Sequence, residues 1–262
     1  MAKKIVITSG KGGVGKTTVA VNLGVALSNL GLRIVLVDLD FGLNNLDVVM
    51  GVENRVIFDM LDVFEGRCRI KQALVQSDYR KNLFVFPSGK IDFSNRITGQ
   101  NVKLLIESLN SVFDYIIIDC PAGIDLGFHR AVSCADEAIV VVTPNLTSLR
   151  DADKVVSILQ SYQLEKVSLV LNRVRGDLIA NKKMMAPSDV EELLKINLMA
   201  ILPEEDEVFL SSGSLLSKRS DSYKAYKTFA LNLVNGTKKI FDTTGKYLGF
   251  FGSIRRSIKK SI

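Results

Sequence analysis

Two lysines flank a glycine-rich stretch near the amino terminus, GKGGVGKT, which covers residues 10–17. The stretch matches the phosphate-binding pattern GxxxxGK[ST], in which backbone N–H groups and a lysine hold phosphate oxygens. It follows a predicted strand at 4–8 and opens a predicted helix at 16–31, which is the context that the motif requires. We expect Lys16 to reach the β- and γ-phosphates and the Thr17 hydroxyl to hold Mg²⁺. The alternative is a glycine turn without a ligand, and the match at every fixed position argues against it.

Three aspartates at the ends of two predicted strands supply the other groups that phosphoryl transfer needs. Asp38 and Asp40 share one face of the strand predicted at 33–40, because side chains alternate along a strand. Asp119 lies in the strand predicted at 115–123. This reaction requires a metal near the phosphates and an oriented water. We therefore assign Asp38 and Asp119 to the Mg²⁺ site and Asp40 to orienting the attacking water. A strand-end residue that caps a turn is the alternative for each one alone.

The composition describes a globular chain with a sizeable core. Of its 262 residues, 47% are hydrophobic and 24% are charged, which is not the balance of a disordered chain. Cys68, Cys120 and Cys134 form no CxxC pair, so neither a disulfide framework nor a zinc site is indicated. The amino terminus leads into a strand and does not resemble a signal peptide, and no apolar run reaches the length of a membrane span. These features favour the cytoplasm.

Short continuous apolar runs alternate with helical patterns and predict the fold class. Such runs are typical of strands that are buried on both faces, so we expect an α/β domain over residues 1–242 with a mostly parallel, doubly wound sheet. Its ligands should bind at the carboxyl ends of the strands. Ser188 and Glu191 have the spacing of a capping box. The remaining predicted strands are 83–89, 137–144, 166–174 and 198–206, and the remaining predicted helices are 99–113, 150–164 and 188–196.

The last residues differ from the rest in charge. The net charge is +6, and residues 246–262 contribute five positive charges and no negative one. We interpret 243–262 as a linker and an amphipathic helix that lies in a membrane interface, with an apolar stripe that begins at Tyr247 and basic residues that meet anionic lipids. The alternative is a helix that packs its stripe on the body or on a partner protein. The residues predicted to contact the membrane are Phe250, Phe251, Ile254, Arg255, Arg256, Ile258, Lys259, Lys260 and Ile262.

The form KGGVGKTT, with Lys11 just after the first glycine, resembles the deviant Walker A motif of the ParA/MinD family of ATPases. Segments 38–51, 119–124, 135–144 and 148–154 are similar to the branch of that family that selects the cell-division site. The resemblance covers essentially the whole chain. It implies a SIMIBI-type P-loop NTPase that hydrolyses ATP to ADP and phosphate with Mg²⁺.

The resemblance also implies a role for the second lysine. In the family it reaches into the partner's site, so Lys11 would act across an ATP-dependent homodimer, with Asp151 at the interface. Asn172, Pro203 and Glu204 match the adenine-binding elements, and an Asn amide can serve a purine edge as donor and acceptor. A turn residue is the alternative for Asn172. The catalytic residues would be Lys11, Lys16 and Asp40, and the phosphate-binding loop would comprise Gly10, Lys11, Gly12, Gly13, Val14, Gly15, Lys16, Thr17 and Thr18.

A third implication concerns the membrane and partner proteins. One short amphipathic helix binds weakly, whereas two helices on an ATP-held dimer bind through avidity, so ATP would control attachment to the cytoplasmic face of the inner membrane. There the chain would position the division site by inhibiting septum placement with a MinC-like protein under a MinE-like regulator. Asn45, Glu53 and Asp153 match positions implicated in partner binding. A charged, solvated face explains these three residues equally well.

The sequence also raises other interpretations of the protein's function. A flagellar-number ATPase of the FlhG type shares the motifs and the tail, although those relatives commonly carry an amino-terminal extension. A DNA-segregation ATPase of the ParA type would bind nucleic acid, which the nearly neutral body disfavours. An electron-transfer iron protein needs a cysteine where this chain has Ala122, so we reject it. A nucleotide-binding scaffold that hydrolyses little is the non-enzyme alternative. His129, the only histidine, is interpreted as structural.

Overall fold

The computed structural model describes residues 1–41, 45–89, 97–211, 216–249 and 252. Within these residues a single sheet has the strand order β3-β4-β2-β5-β1-β6-β7-β8. All neighbouring strands are parallel except β3 and β4, which are antiparallel at one edge. The strands are β1 (Lys3–Thr8), β2 (Ile34–Asp38), β3 (Val75–Gln76), β4 (Leu83–Phe86), β5 (Tyr115–Asp119), β6 (Glu137–Val142), β7 (Lys166–Val174) and β8 (Asn197–Pro203).

Helices cover both faces of the sheet, as the continuous apolar strands predict. The core on one face contains α1, α2 and α11, and the core on the other face contains α5, α6, α7 and α9. The predicted α/β class with a mostly parallel, doubly wound sheet is confirmed. The helices are α1 (Lys16–Ser28), α2 (Leu46–Met50), α3 (Met60–Phe64), α4 (Ile70–Ala73), α5 (Gly99–Glu107), α6 (Leu126–Ser133), α7 (Leu146–Leu159), α8 (Gly176–Ala180), α9 (Pro187–Leu194), α10 (Asp206–Leu210) and α11 (Asp221–Asn235), with 3₁₀ turns at Glu53–Arg55 and Gly245–Tyr247.

Several boundaries differ from the sequence-based prediction because side chains cap the elements locally. The strand predicted at 33–40 ends at Asp38, since Asp38 Oδ1 accepts a hydrogen bond from Asp40 N at 2.9 Å and turns the chain. The third predicted helix begins at Leu146 and not at residue 150. Asn145 caps it by accepting a hydrogen bond from Ser148 N at 2.9 Å.

The predicted capping box at α9 is wrong. The helix begins at Pro187, which suits the first helical position, so Ser188 lies inside the first turn and makes no cap. Glu191 points instead toward the sheet, where its Oε1 accepts a hydrogen bond from Leu198 N at 2.7 Å. The sequence analysis also missed α11, whose amino terminus is capped by Ser220 and whose carboxyl end is closed by Gly236 in the left-handed conformation.

The beginning of the tail packs on the body. Tyr247 is buried, and the Lys246 ammonium pairs with the Asp221 carboxylate at the first residue of α11. A Cβ atom added at Gly176 would lie 1.8 Å from the Thr243 carbonyl oxygen, so α8 and the root of the tail are in direct contact. The packed chain therefore extends past residue 242.

The predicted membrane-contacting residues, from Phe250 to Ile262, all lie outside the described residues. Among the helices that the structure does describe, none has the length and apolar character needed to cross a membrane.

Candidate active site

The glycine-rich loop connects β1 to α1 at the carboxyl end of the sheet, as predicted. Gly13 and Gly15 have φ angles of 78° and 96°. Such angles favour glycine, because a residue with a Cβ atom would adopt them only at a steric cost. A Cβ atom at Gly10 would lie 2.2 Å from the Asp151 carbonyl oxygen, so the loop touches the backbone of α7. These contacts fix a turn whose N–H groups precede a helix amino terminus, an arrangement suited to an anion.

The two lysines of the loop have opposite environments. Lys16 is buried, and its Nζ donates a hydrogen bond to Ser9 Oγ at 3.2 Å. Lys11 is exposed to solvent at the rim of the site. Lys16 is therefore placed for a ligand inside the loop, whereas Lys11 faces away from the core.

The buried carboxylates lie side by side on neighbouring strands, because Asp38 in β2 pairs in register with Asp119 in β5. Burial raises the pKa of Asp119 to about 7, and a hydrogen bond from the Thr17 side chain and the charge of Lys16 oppose this rise. Burial and the charge of Asp119 raise the pKa of Asp38, although the N–H groups of Asp40 and Leu46 stabilise its charged form.

Asp40 is half-buried, whereas Asp38 and Asp119 are buried. Burial raises the pKa of Asp40, the charge of Lys16 lowers it, and the charge of Asp125 raises it. Ser88 Oγ donates a hydrogen bond to the Asp40 carbonyl oxygen at 3.2 Å and holds the turn after β2. The carboxylate thus lies near the phosphate loop, where it can accept a hydrogen bond from a water molecule.

The residues assigned to Mg²⁺ fit a hard divalent cation. Asp119 Oδ1 is buried and has no hydrogen-bond partner among the described residues, which is costly unless a ligand binds it. Thr17 supplies a hydroxyl oxygen beside it. Magnesium uses one or two carboxylates and takes its other ligands from water and phosphates. No group of three or more His, Cys, Asp or Glu with metal-binding geometry occurs in the part of the chain that the structure describes.

Two cavities open beside the loop. The larger, of about 340 Å³, lies over the loop and the carboxyl end of β6. The smaller, of about 30 Å³, lies on the other side of the loop and is lined by five of the residues predicted to hold the nucleotide. Its lining includes Gly15, Thr18, Asn172, Pro203, Glu204 and Arg173. The adenine-binding residues taken from the family resemblance thus meet at one place beside the phosphate loop.

Asn172 lies within β7 and not in a turn, so the turn alternative is wrong. Its Nδ2 donates a hydrogen bond to the Val14 carbonyl oxygen at 2.8 Å, and a Cβ atom at Gly15 would lie 2.5 Å from that nitrogen. Asn172 therefore supports the loop in addition to lining the cavity. An amide has two N–H groups and an oxygen, so this bond leaves capacity for a ligand.

Apolar side chains are exposed around the rim near Lys11. Leu146 at the start of α7 is 74% exposed, and Leu126 and Ile124 after β5 are 69% and 44% exposed. Both segments lie near the loop. A Cβ atom added at Gly12 would lie 3.8 Å from Ala122 Cβ, and the residues before α7 line the larger cavity with Lys11. This rim is a mixed basic and apolar surface of the kind that association can cover.

The residues predicted to bind partner proteins lie on the surface. Asn45, Glu53 and Asp153 are exposed, and Asp151 is half-buried beside the loop. His129 is exposed as well, and its Nδ1 shares a hydrogen bond with the Tyr162 hydroxyl while the two rings stack. The only histidine therefore has a local packing role.

Sequence reasoning missed the residues that precede α7 and one residue at the end of β7. Arg173 lines both cavities with a φ of 57°, at the irregular register between β7 and β8. Thr143, Pro144 and Asn145 line the larger cavity together with Ser148 in the first turn of α7. Their position after a buried strand was the available signal, since ligands in such sheets bind at strand carboxyl ends.

Comparison with known proteins identifies the family. A family model described as "AAA domain" matches residues 2–172. The septum site-determining protein MinD of Bacillus subtilis (strain 168) is 47% identical over 215 residues, which is 81% of this chain and 80% of that protein. The chain belongs to the MinD family. It is thus a member of a family of P-loop ATPases that determine the septum site.

Solved structures of the MinD family have the same fold. The Aquifex aeolicus MinC:MinD cell division protein complex is similar with a TM-score of 0.80 at 38% identity, covering 90% of this chain and 97% of that chain. The septum site-determining protein MinD of Pyrococcus horikoshii OT3, complexed with Mg-ADP, has a TM-score of 0.80 at 29% identity and covers 91% and 99%. The doubly wound ATPase fold is therefore shared along nearly the whole chain.

Proposed function

We propose that this chain is a switch that binds and hydrolyses ATP with Mg²⁺, dimerises in the ATP state and then attaches to a membrane to position the division site. The observation that carries the proposal is the separation of the two loop lysines. Lys16 is buried for a phosphate within the chain, and Lys11 is exposed at an apolar rim. A second lysine in that position makes chemical sense when a second copy completes the site.

The site residues can be given roles in phosphoryl transfer. Lys16 and the loop N–H groups neutralise and orient the phosphates, and Asp40 orients the attacking water. Thr17, Asp38 and Asp119 would hold Mg²⁺, which supplies charge neutralisation on the phosphate oxygens when it is bound. The related MinD of Pyrococcus horikoshii OT3 is complexed with Mg-ADP, which supports the use of Mg²⁺ with the nucleotide.

Association would bury the rim around the loop. The exposed Ile124, Leu126 and Leu146 lose contact with water in a dimer, which is favourable by roughly 1.5–3 kcal/mol for each fully buried side chain. Lys11 would then contact the partner's phosphates and Asp151 would lie at the interface. In this proposal the dimer would depend on the γ-phosphate, because Lys11 would contact the phosphates across the interface.

The membrane step would use the basic carboxyl-terminal segment of residues 243–262. Each copy supplies one amphipathic helix, and pairing the copies makes the second attachment intramolecular. Hydrolysis would separate the copies and release them from the cytoplasmic face of the inner membrane. The same cycle would bring a MinC-like protein to the membrane, in keeping with the related Aquifex aeolicus complex, under a MinE-like regulator. Asn45, Glu53 and Asp153 are the proposed contacts.

The test of this proposal is oligomer size measured by light scattering with Mg-ATP, with Mg-ADP and without nucleotide. We expect a dimer with Mg-ATP alone, and a monomer for Lys11→Ala under every condition. Lys166→Ala is the matched control, because Lys166 is an exposed lysine at the opposite end of the sheet. A monomer with Mg-ATP in the unchanged protein, or a normal dimer of Lys11→Ala, would contradict the proposal.

A further inference from the structure

Ser9 lies directly before the phosphate-binding pattern, and its hydroxyl contacts both loop lysines. Ser9 Oγ accepts a hydrogen bond from Lys16 Nζ at 3.2 Å and donates one to the Lys11 carbonyl oxygen at 2.8 Å. Ser9 has no exposed surface and Lys16 is buried beside it. The pattern GxxxxGK[ST] begins at Gly10 and includes no residue with this connection.

The chemistry of a hydroxyl gives these two bonds a fixed direction. A serine has one proton and two lone pairs, so its proton goes to the Lys11 carbonyl and a lone pair accepts from the ammonium. Alanine at this position would leave a buried N–H of Lys16 and the Lys11 carbonyl without this partner, and loss of the buried bond is costly. An ammonium has three N–H groups, so Lys16 can keep this bond and use the other two on phosphate oxygens.

The segment that Ser9 holds is also packed on α7. Gly10 touches the Asp151 backbone, so the chain between Ser9 and Lys11 has a side-chain bond on one side and a helix on the other. The direction in which the Lys11 side chain leaves the loop follows from this backbone. The Ser9 hydroxyl therefore helps to position both lysines, Lys16 through its ammonium group and Lys11 through its backbone.

We propose that Ser9 is a positioning residue, whose hydroxyl aims Lys16 at the phosphates and holds the backbone of Lys11 in the orientation that its role across the dimer requires. This inference rests on the proposed function. The hydroxyl acts through the two lysines and does not contact the reacting atoms.

The experiment compares Ser9→Ala with the unchanged chain in steady-state ATP hydrolysis with Mg²⁺ and anionic phospholipid vesicles. We expect kcat to fall about tenfold, since the lost bond is made to a charged group whose aim matters most in the transition state. The KM for ATP should change less than about threefold, because the charge of Lys16 remains. The dimer should need a higher protein concentration to form with ATP.

Ser28→Ala is the matched control, because Ser28 is also a buried serine that donates to a carbonyl oxygen at 2.8 Å, near the end of α1. Its kcat should equal that of the unchanged chain. Ser9→Cys has a similar side-chain size and only a weak donor, so it should reproduce the fall in kcat if Ser9→Ala folds poorly.

Thermal unfolding shows whether each variant is folded. An unchanged kcat in a folded Ser9 variant, or a loss that lies in KM alone, overturns the inference. Absence of ATP turnover in the unchanged chain would instead refute the proposed function, so the two failures are distinguishable.

Discussion

Asp38 and Asp119 are register partners on neighbouring parallel strands, and both carboxyl groups are buried. Two buried acids on adjacent strands are poorly tolerated when both are charged, because burial penalises the ionised form and like charges repel. The pair therefore binds protons at a higher pH than free aspartates do. Its geometry suits a cation that both carboxylates can share.

The first prediction concerns the stability of the metal-free protein. The pKa of Asp119 is raised from 3.8 to about 7, so the folded chain holds a proton that the unfolded chain releases between these values. The free energy of unfolding should therefore decrease as the pH rises from about 4 to about 7. Asp119→Asn removes this loss and should raise Tm by roughly 5 °C at pH 8, with little gain at pH 4.

Thermal unfolding in a chelating buffer across this pH range measures the effect. Asp189→Asn is the control, because Asp189 is exposed in the first turn of α9. Equal effects of the two substitutions at pH 8 would contradict the assignment of a raised pKa to Asp119. Mg²⁺ with ADP should stabilise the unchanged chain and have a much smaller effect on Asp119→Asn.

The second prediction separates the two roles of Asn172. Asn172→Ala should lower the free energy of unfolding by about 1–3 kcal/mol, since the buried Val14 carbonyl loses its hydrogen bond. It should also weaken ADP binding, because the side chain lines the small cavity. Asn232→Ala is a matched control. Its amide donates two hydrogen bonds and accepts two away from the loop, so it should cost at least as much stability while ADP affinity is unchanged. A normal ADP affinity in Asn172→Ala would remove this residue from the nucleotide site.

The third prediction compares two glycines of the loop. Gly10→Ala should displace the loop from α7, because the new Cβ atom would lie 2.2 Å from the Asp151 carbonyl oxygen. We expect a loss of stability of about 1–3 kcal/mol and at least tenfold weaker ADP binding, as overpacking forces the backbone to move. At Gly12 the nearest atom to a new Cβ would be Ala122 Cβ at 3.8 Å, so Gly12→Ala should keep its stability. Calorimetric unfolding and ADP titration of both variants measure the difference, and similar stabilities would contradict the close packing.

The fourth prediction concerns the membrane. Sedimentation with anionic vesicles should require ATP and should be lost when residues 250–262 are deleted. This deletion is cleaner than one from residue 246, because Tyr247 is buried on the body and Lys246 pairs with Asp221. Deletion from 246 should therefore lower Tm more than deletion from 250, which among the described residues removes only the packing of Gly252 on the Tyr247 backbone. Equal sedimentation with ADP would show that the nucleotide does not control attachment.

The sequence by itself determined the chemistry of the site and the class of the fold. The spacing of the loop glycines and Lys16 is local, since a phosphate-binding turn is built from consecutive residues, and buried parallel strands leave continuous apolar runs. Asp38, Asp40 and Asp119 were found for the same reason. Asp38 and Asp119 end strands and Asp40 follows just after one, and strand ends in such a sheet meet at one edge.

Only the tertiary structure decided which distant residues meet. Ser9, Asn172 and the Asp151 backbone support the loop through contacts that join separate elements, and no local pattern encodes these distances. The capping box at Ser188 failed because Glu191 is used by β8, which a local motif cannot show. The raised pKa of Asp38 likewise depends on burial and on the charge of Asp119, its register partner, and both arise only when the strands assemble into the sheet.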